Sequence, residues 1–277
     1  VAAQCTLRIN PDVDAGTHDK ISTGKADNKF GVPIDQAGQI FGKLAGQPSV
    51  NLRGVAVHIG SQLGDLTPLE NAFEKIGTLV SALRGAGHDI PPVDLGGGLG
   101  VPYKAGDELP SPAEYGAMVA RVTKDWGVRL IFEPGRVIAG NAGVLLTRVV
   151  RIKRGINDPF VIVDAAMNDL ARPALYGAYH DFVAVEPRGA DMTANIVGPI
   201  CETGDTFAMG RLTDRLEAGD LAVFRTAGAY GATMASSYNS RGFVPEVLVD
   251  GDRYAIVADR IEAASIMDAE RVPEWLA

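Results

Sequence analysis

The stretch VDLGGGLG, residues 93–100, follows a short apolar run with three consecutive glycines. Glycine weakens a strand because it loses the most backbone entropy on folding and offers no side chain to pack. The run therefore indicates a place where bare backbone is needed, and one common reason is a phosphate bound by free peptide N–H groups. A tight turn after a strand is the alternative. The run is not a dinucleotide fingerprint, since Val101 stands at the last glycine of G-x-G-x-x-G, and it is not a P-loop.

Short apolar strands alternate with helical patterns on both sides of this stretch. Strands are predicted over 5–11, 52–62, 92–98 and 128–136, and helices near 35–45, over 68–87 and over 111–127. Because this alternation is typical of a parallel sheet covered by helices, the expected fold class is α/β. From about residue 141, short strands broken by Gly, Asp, Asn and Pro predict an antiparallel β domain. The predicted domains are 1–140 and 141–277.

The composition limits the possible functions. The net charge is −8 and the pI is near 5.1, which argues against nucleic acid and anionic membrane surfaces, since both need clustered Lys and Arg. No apolar run approaches the ~18 residues that a membrane span needs. Cys5 and Cys201 lie far apart in the sequence, which favours a reduced, cytoplasmic protein over a disulfide between them.

Polar residues follow the predicted strands, at the sheet edge where α/β folds build their sites. His58 offers a flat ring, and Ser61 offers a hydroxyl and an N–H suited to a phosphate. Glu133 can face a ring nitrogen, and Arg136 can bind a phosphate or carboxylate through its guanidinium fork. Between them, the Pro134–Gly135 turn lets the chain leave the strand sharply. A simple Glu–Arg pair and ordinary polar strand ends are the alternatives.

The second half contains further candidates. Cys201 and Glu202 lie in a Gly-, Pro- and acid-rich loop, a poor place for a buried structural cysteine, and acidic neighbours favour a neutral thiol that donates a proton. Arg172 can bind a carboxylate, Tyr176 lies four residues after it, and Tyr230 can contact a phosphate or a substrate. Ordinary polar loops remain the alternative. Together the candidates describe a phosphate, a flat ring with a basic nitrogen, and carboxylates, which fits pyridoxal phosphate (PLP) with an amino acid and needs no metal.

These residues resemble the diaminopimelate decarboxylase family, PLP enzymes of the alanine-racemase-like fold that also includes ornithine and arginine decarboxylases. The matching stretches run in family order across nearly the whole chain, at 8–18, 21–31, 58–62, 94–100, 133–136, 172–180, 201–205 and 228–241. The resemblance implies the C-terminal half of a (β/α)8 PLP-binding barrel, strands five to eight, followed by an antiparallel β-sandwich or barrel domain. It also implies a homodimer in which the loop at 201–205 enters the site of the other subunit.

The resemblance also implies roles for the candidates. His58 would stack on the PLP ring, Glu133 would pair with its nitrogen, and Cys201 would reprotonate the α-carbon after CO2 leaves. The residues expected around the phosphate are Ser61, Gly96, Gly97, Gly98, Arg136 and Tyr230, and Pro134 and Gly135 are also expected to contact the cofactor. Those expected around the far end of the substrate are Arg136, Arg172, Tyr176, Glu202 and Tyr230.

Charge matching separates substrates within the family. Diaminopimelate ends in both an amine and a carboxylate, which Glu202 and Arg172 can match, whereas ornithine enzymes typically carry Cys-Asp in this loop. The expected reaction of the intact protein is therefore decarboxylation of meso-2,6-diaminopimelate to L-lysine, a step of lysine biosynthesis. The alternatives are a decarboxylase of another basic amino acid, a non-catalytic fragment or binding partner, and a sugar-phosphate barrel enzyme.

One family feature is missing. The lysine that forms the Schiff base with PLP lies on the first barrel strand of the family, and no lysine here stands in a YAxKAN-like strand. The chain is therefore expected to correspond to the C-terminal two-thirds of the enzyme and to be inactive alone.

Overall fold

The computed structural model describes residues 1–16, 23–24 and 28–276. Part of the resembling stretch at 8–31, with Lys20 and Lys25, lies outside the described residues. The chain divides into two compact units, unit 1 at Val1–Ala139 and unit 2 at Gly140–Ala277.

Unit 1 is built on a five-stranded parallel sheet in the order β2-β1-β3-β4-β5. Its strands are β1 (Ala3–Asn10), β2 (Val32–Pro33), β3 (Val50–Val57), β4 (Pro92–Asp94) and β5 (Arg129–Ile131). The parallel α/β fold expected from the alternating pattern is confirmed. The count of four strands was wrong, because β2 pairs only two residues with the end of β1 and is too short to produce a periodic pattern.

Three helices cover this sheet, α1 (Ala37–Leu44), α2 (Thr67–Gly85) and α3 (Pro112–Thr123), and the short α4 (Arg136–Ala139) follows β5. The buried face of α2 includes Leu69, Phe73 and Ile76, at the helical spacing that the sequence shows. α3 begins with a capping box, in which Ser111 Oγ accepts from the N–H of Glu114 and Glu114 Oε2 accepts from the N–H of Ser111. These local signals explain why the helices of unit 1 lie close to their predicted positions.

Unit 2 contains a six-stranded sheet in the order β10-β9-β7-β6-β11-β8. The strands are β6 (Leu145–Lys153), β7 (Phe160–Val163), β8 (Phe182–Ala184), β9 (Asp191–Val197), β10 (Thr206–Asp214) and β11 (Leu221–Phe224). The sheet is mixed rather than purely antiparallel, because β7 and β9 run parallel, and local patterning does not encode strand direction. Its two outer strands nearly close it, since Thr213 Oγ1 donates to Phe182 O and Ala184 N donates to Asp214 Oδ2.

The rest of unit 2 is a separate hairpin and short helices: β12 (Glu246–Asp250), β13 (Arg253–Ala258), α5 (Arg172–Tyr176) and α6 (Ala263–Met267). The sequence pattern of β10 does not by itself indicate a strand. A glycine with a φ of +55°, Gly210, and two register shifts interrupt its alternation, so no clean period of two is visible.

Candidate active site

The predicted site residues of unit 1 follow three neighbouring parallel strands. His58 comes directly after β3, the glycine run at 96–98 follows β4, and Glu133 follows β5. Backbone hydrogen bonds extend past the strand ends, from Glu133 N to Gly96 O (2.7 Å) and from Leu63 N to Gly98 O (2.9 Å). The three segments are therefore held side by side at the carboxyl edge of the sheet, as the α/β pattern predicts.

Close backbone contacts explain why three glycines stand here. A β-carbon at Gly96 would lie 2.4 Å from Val57 O, and one at Gly97 would lie 2.3 Å from Glu133 O. At Gly98 it would lie 2.4 Å from a backbone oxygen, and its φ of +113° also favours glycine. The run thus fills the space between the ends of β3 and β5, and no larger residue fits without moving the backbone.

The expectation that all three glycine N–H groups are free for a phosphate was wrong. Gly96 N donates to Asp94 Oδ1 (2.8 Å), and Gly97 N donates to His58 Nδ1 (3.2 Å). Of the three glycine N–H groups, that of Gly98 alone has no hydrogen-bond acceptor among the described residues. The sequence showed that these three residues lack side chains. It could not show which neighbouring side chains accept hydrogen bonds from their N–H groups.

The bond from Gly97 orients the half-buried ring of His58. An N–H donor requires a lone pair on Nδ1, which places the proton of the neutral ring on Nε2. Burial lowers the pKa of His58 below its ordinary 6.5, Arg8 lowers it further, and Asp94 opposes them. The structure thus presents a neutral, fixed aromatic face at the end of β3.

Arg136 begins α4 and is 7% exposed. Its Nη2 donates to Ser61 Oγ (3.2 Å), which brings together two residues predicted to bind a phosphate. Its Nη1 donates to the hydroxyl of Tyr103, and the guanidinium carbon lies 5.7 Å from the centre of that ring. Tyr103 was missed, because a lone tyrosine after a glycine run carries no sequence signal.

Several of the predicted residues line one cavity of about 500 Å³ next to α3. It is lined by Gly96, Gly97, Gly98, Pro134, Gly135 and Arg136, together with mainly apolar residues of α3 and β5. Tyr115 in its wall has a pKa raised to about 12, chiefly by burial and also by Asp94. The side chain of Glu133 is exposed.

In unit 2, Cys201 and Glu202 lie in the loop between β9 and β10, which is organised around the buried Asp205. The carboxylate of Asp205 accepts from Ile200 N and Met167 N, both at 2.7 Å, and its pKa is raised by burial against the lowering effect of these bonds. It also lies over Gly198, where a β-carbon would stand 2.2 Å from it. The buried carboxylate of Asp205 therefore holds the loop in place.

The two predicted residues at the tip of this loop are both exposed, and Cys201 carries a free thiol. The hydroxyl of Tyr238 donates to Glu202 Oε2, and this bond together with the carboxylate charge raises the pKa of Tyr238. Tyr238 orients Glu202, and the sequence did not single it out among the tyrosines of its segment.

The remaining predicted residues of unit 2 lie on two other segments. Arg172 is 7% exposed at the start of α5 and its Nη1 lies 2.8 Å from His180 Nε2, while Tyr176 is half-buried at the end of α5. Tyr230 is exposed and adopts a left-handed φ of +60°, an uncommon conformation for a bulky residue. His180 was missed, because one histidine in a loop is uninformative by itself.

Among the residues that the structure describes, no group of three or more His, Cys, Asp and Glu side chains is placed to hold a metal ion. No helix within 1–16, 23–24 and 28–276 has the length and apolar character that crossing a membrane requires.

The sequence matches the family model described as pyridoxal-dependent decarboxylase, pyridoxal binding domain, over residues 2–140. It is 54% identical to a diaminopimelate decarboxylase of Zymomonas mobilis over 275 residues, covering 99% of this chain and 65% of that protein. It is 47% identical to one of Vibrio cholerae, covering 98% of this chain and 65% of that protein.

The structure is similar to a crystal structure of diaminopimelate decarboxylase from Helicobacter pylori complexed with L-lysine. The TM-score is 0.92 at 36% identity, covering 97% of this chain and 67% of that one. The chain thus spans about two-thirds of the length of these relatives, and 65% of the two curated ones.

Proposed function

The chain belongs to the pyridoxal-dependent decarboxylase family, and from that premise we propose that it forms part of an enzyme that decarboxylates meso-2,6-diaminopimelate to L-lysine. The observation that carries the substrate assignment is the combination, in unit 2, of a buried guanidinium with an oriented carboxylate. Arg172 fits the carboxylate at the far end of this substrate, and Glu202 fits the ammonium beside it. The substrate of a diamine-forming enzyme has no carboxylate at its far end for this arginine to bind.

Unit 1 supplies the groups that fit PLP. Ser61 and Arg136, in contact with each other, and the N–H of Gly98 form a donor set suited to a phosphate, while Pro134 and Gly135 place Arg136. The neutral ring of His58 offers a face for stacking, and the exposed carboxylate of Glu133 can hold a protonated ring nitrogen. When bound, PLP supplies an electron-withdrawing ring that accepts the electron pair left by departing CO2.

Unit 2 supplies the groups that fit the substrate. The far amino-acid end of the substrate is held by Arg172, Tyr176 and Glu202. The bond to CO2 that breaks is therefore at the other end of the substrate. Cys201 Sγ then donates its proton to the α-carbon, which replaces the C–C bond to CO2 by a C–H bond. Tyr230 remains a candidate contact to phosphate or substrate.

We further propose a cytoplasmic homodimer. Cys201 and Glu202 lie on an exposed loop, where a second subunit can be reached. The hairpin β12–β13 exposes Leu248, Val249, Tyr254 and Ile256, and exposed apolar groups of this extent are typical of subunit interfaces. Both cysteines are free thiols, which suits a reducing compartment.

The test is release of CO2 from meso-diaminopimelate by the full-length protein saturated with PLP, compared with Arg172→Ala. We expect turnover by the wild type and at least a hundredfold lower kcat/KM in the variant, about the effect of losing a charge-assisted bidentate contact. Preferential turnover of lysine or ornithine would support the decarboxylase of another basic amino acid instead.

The 277 residues alone are expected to give no turnover. Among the described lysines of unit 1, none lies on a strand of the parallel sheet. Clear turnover by this chain would contradict that expectation, and absence of PLP binding by the full-length protein would favour a non-catalytic role.

A further inference from the structure

His180 is almost completely buried, at 3% exposure, and connects two segments of unit 2. Its Nε2 lies 2.8 Å from Arg172 Nη1, and its Nδ1 lies 3.0 Å from the backbone oxygen of Arg225. The two ring nitrogens therefore face partners of opposite kinds, a donor and an acceptor.

These partners specify the protonation of the ring. A carbonyl oxygen only accepts, so Nδ1 must carry a proton, and a guanidinium only donates, so Nε2 must carry a lone pair. The ring is thus neutral in its Nδ1–H form. A proton on Nε2 would point directly at a cation and remove the bond.

The backbone around His180 is also fixed. α5 ends at Tyr176, and the φ of +61° at the following Gly177 reverses the chain so that Ala178 N donates to Arg172 O (3.3 Å). From β10, Arg211 Nη1 donates to His180 O (2.9 Å). The histidine is therefore brought back against Arg172, the first residue of the helix that precedes it.

The charged groups around the ring agree with a neutral histidine. The Arg172 guanidinium faces Nε2 from α5, Arg211 from β10 donates to the backbone oxygen of His180, and Asp181 follows His180 in the chain. A positive ring here would place its Nε2 proton against the Arg172 guanidinium, whose Nη1 lies 2.8 Å away.

We propose that His180 is a positioning residue that sets the plane of the Arg172 guanidinium and thereby the preference for amino acids with a carboxylate at the far end. This inference rests on the proposed function. A bidentate contact needs two N–H groups in one plane, so fixing one nitrogen of the fork fixes the direction in which the others point. Without the lone pair on His180, the guanidinium loses the acceptor that fixes Nη1 in this direction.

Two variants distinguish the effect of losing the hydrogen-bond acceptor at Nε2 from the effect of changing the shape of the side chain. His180→Gln carries an oxygen that can reach the position of Nε2 and so can still accept from Arg172. His180→Asn ends near the position of Nδ1, and so keeps the bond to Arg225 O but not the one to Arg172.

The full-length protein is assayed for KM and kcat on meso-diaminopimelate and for inhibition by L-lysine and by cadaverine, which is lysine without its carboxylate. In His180→Asn we expect KM and the inhibition constant of lysine to rise about tenfold or more, with kcat and cadaverine inhibition little changed, and in His180→Gln we expect recovery. Equal losses in both variants, or equal effects on lysine and cadaverine, would overturn the proposal, because those outcomes indicate general packing.

A measurement on the unmutated protein gives an independent result. With ¹⁵N-labelled histidine, the His180 signal, identified by its absence in His180→Asn, should show a proton on Nδ1 and none on Nε2. The opposite tautomer or a doubly protonated ring overturns the inference.

Arg172→Ala distinguishes a failure of this inference from a failure of the proposed function. If it weakens lysine binding while His180→Asn does not, the proposed function stands and the role of His180 is wrong. If the wild type turns over no diaminopimelate and Arg172→Ala leaves lysine and cadaverine binding unchanged, the proposed function is wrong and this inference fails with it.

Discussion

The backbone oxygen of Glu133 lies so close to Gly97 that a β-carbon there would stand 2.3 Å from it. This contact joins the second residue beyond β5 to the middle of the glycine run, and Glu133 N donates to the neighbouring Gly96 O. Backbone cannot move here without separating the ends of two adjacent strands.

We therefore expect Gly97→Ala to lower the free energy of unfolding of unit 1 by about 1–3 kcal/mol, the usual cost of overpacking. The measurement is urea unfolding followed by the fluorescence of Trp126, with Trp275→Phe as the background. Gly42→Ala is the matched control, because nothing lies within 4 Å of its added β-carbon and alanine favours the helix by up to about 1 kcal/mol. Equal stabilities of the two variants would contradict the steric role of Gly97.

Features that depend on residues close together in the sequence could be predicted, whereas contacts between distant residues could not. The capping box at Ser111 and the apolar stripe of α2 act within one element, so the pattern predicted both helices. The contacts Tyr103–Arg136 and Tyr238–Glu202 join residues 33 and 36 positions apart. Such pairs depend on how strands and loops come together, and residue spacing alone carries no signal for them.

The lowered pKa of His58 predicts a pH-dependent stability. The folded state binds fewer protons than the unfolded state between the lowered pKa and 6.5, so the free energy of unfolding rises with pH through that window. The contribution of His58 is fully present above about pH 6.5 and is lost as the pH falls toward the folded value.

His58→Asn tests this, since its side-chain oxygen can still accept from Gly97 N but does not titrate. Between about pH 7.5 and about pH 5.5, the wild type should lose more stability than the variant, measured by the same fluorescence-detected unfolding. Identical pH dependences would show that His58 does not carry the effect.

The bond between Tyr238 and Glu202 predicts a late tyrosine titration. The carboxylate holds the pKa of Tyr238 above its ordinary 10, because it accepts the hydroxyl proton and repels the phenolate. Alkaline titration of tyrosinate absorbance, as the difference between wild type and Tyr238→Phe, should therefore have its midpoint above 10. In Glu202→Gln the midpoint should move down toward 10, and an unchanged midpoint would mean that the two side chains are not bonded in solution.

Cys201 has a role in the proposed reaction that Cys5 does not share. Cys201 is exposed at the tip of the loop that Asp205 fixes, whereas Cys5 lies in β1 with its thiol directed to Ala3 O. If Cys201 Sγ donates the proton to the α-carbon, Cys201→Ser in the full-length protein should lower kcat on meso-diaminopimelate by about 10²–10⁴, the range of general acid catalysis, while PLP binding is retained. Cys5→Ser should keep the wild-type rate. Equal rates in the two variants would assign the proton to another group, whereas loss of PLP binding in Cys201→Ser would mean that the substitution disturbs the site itself.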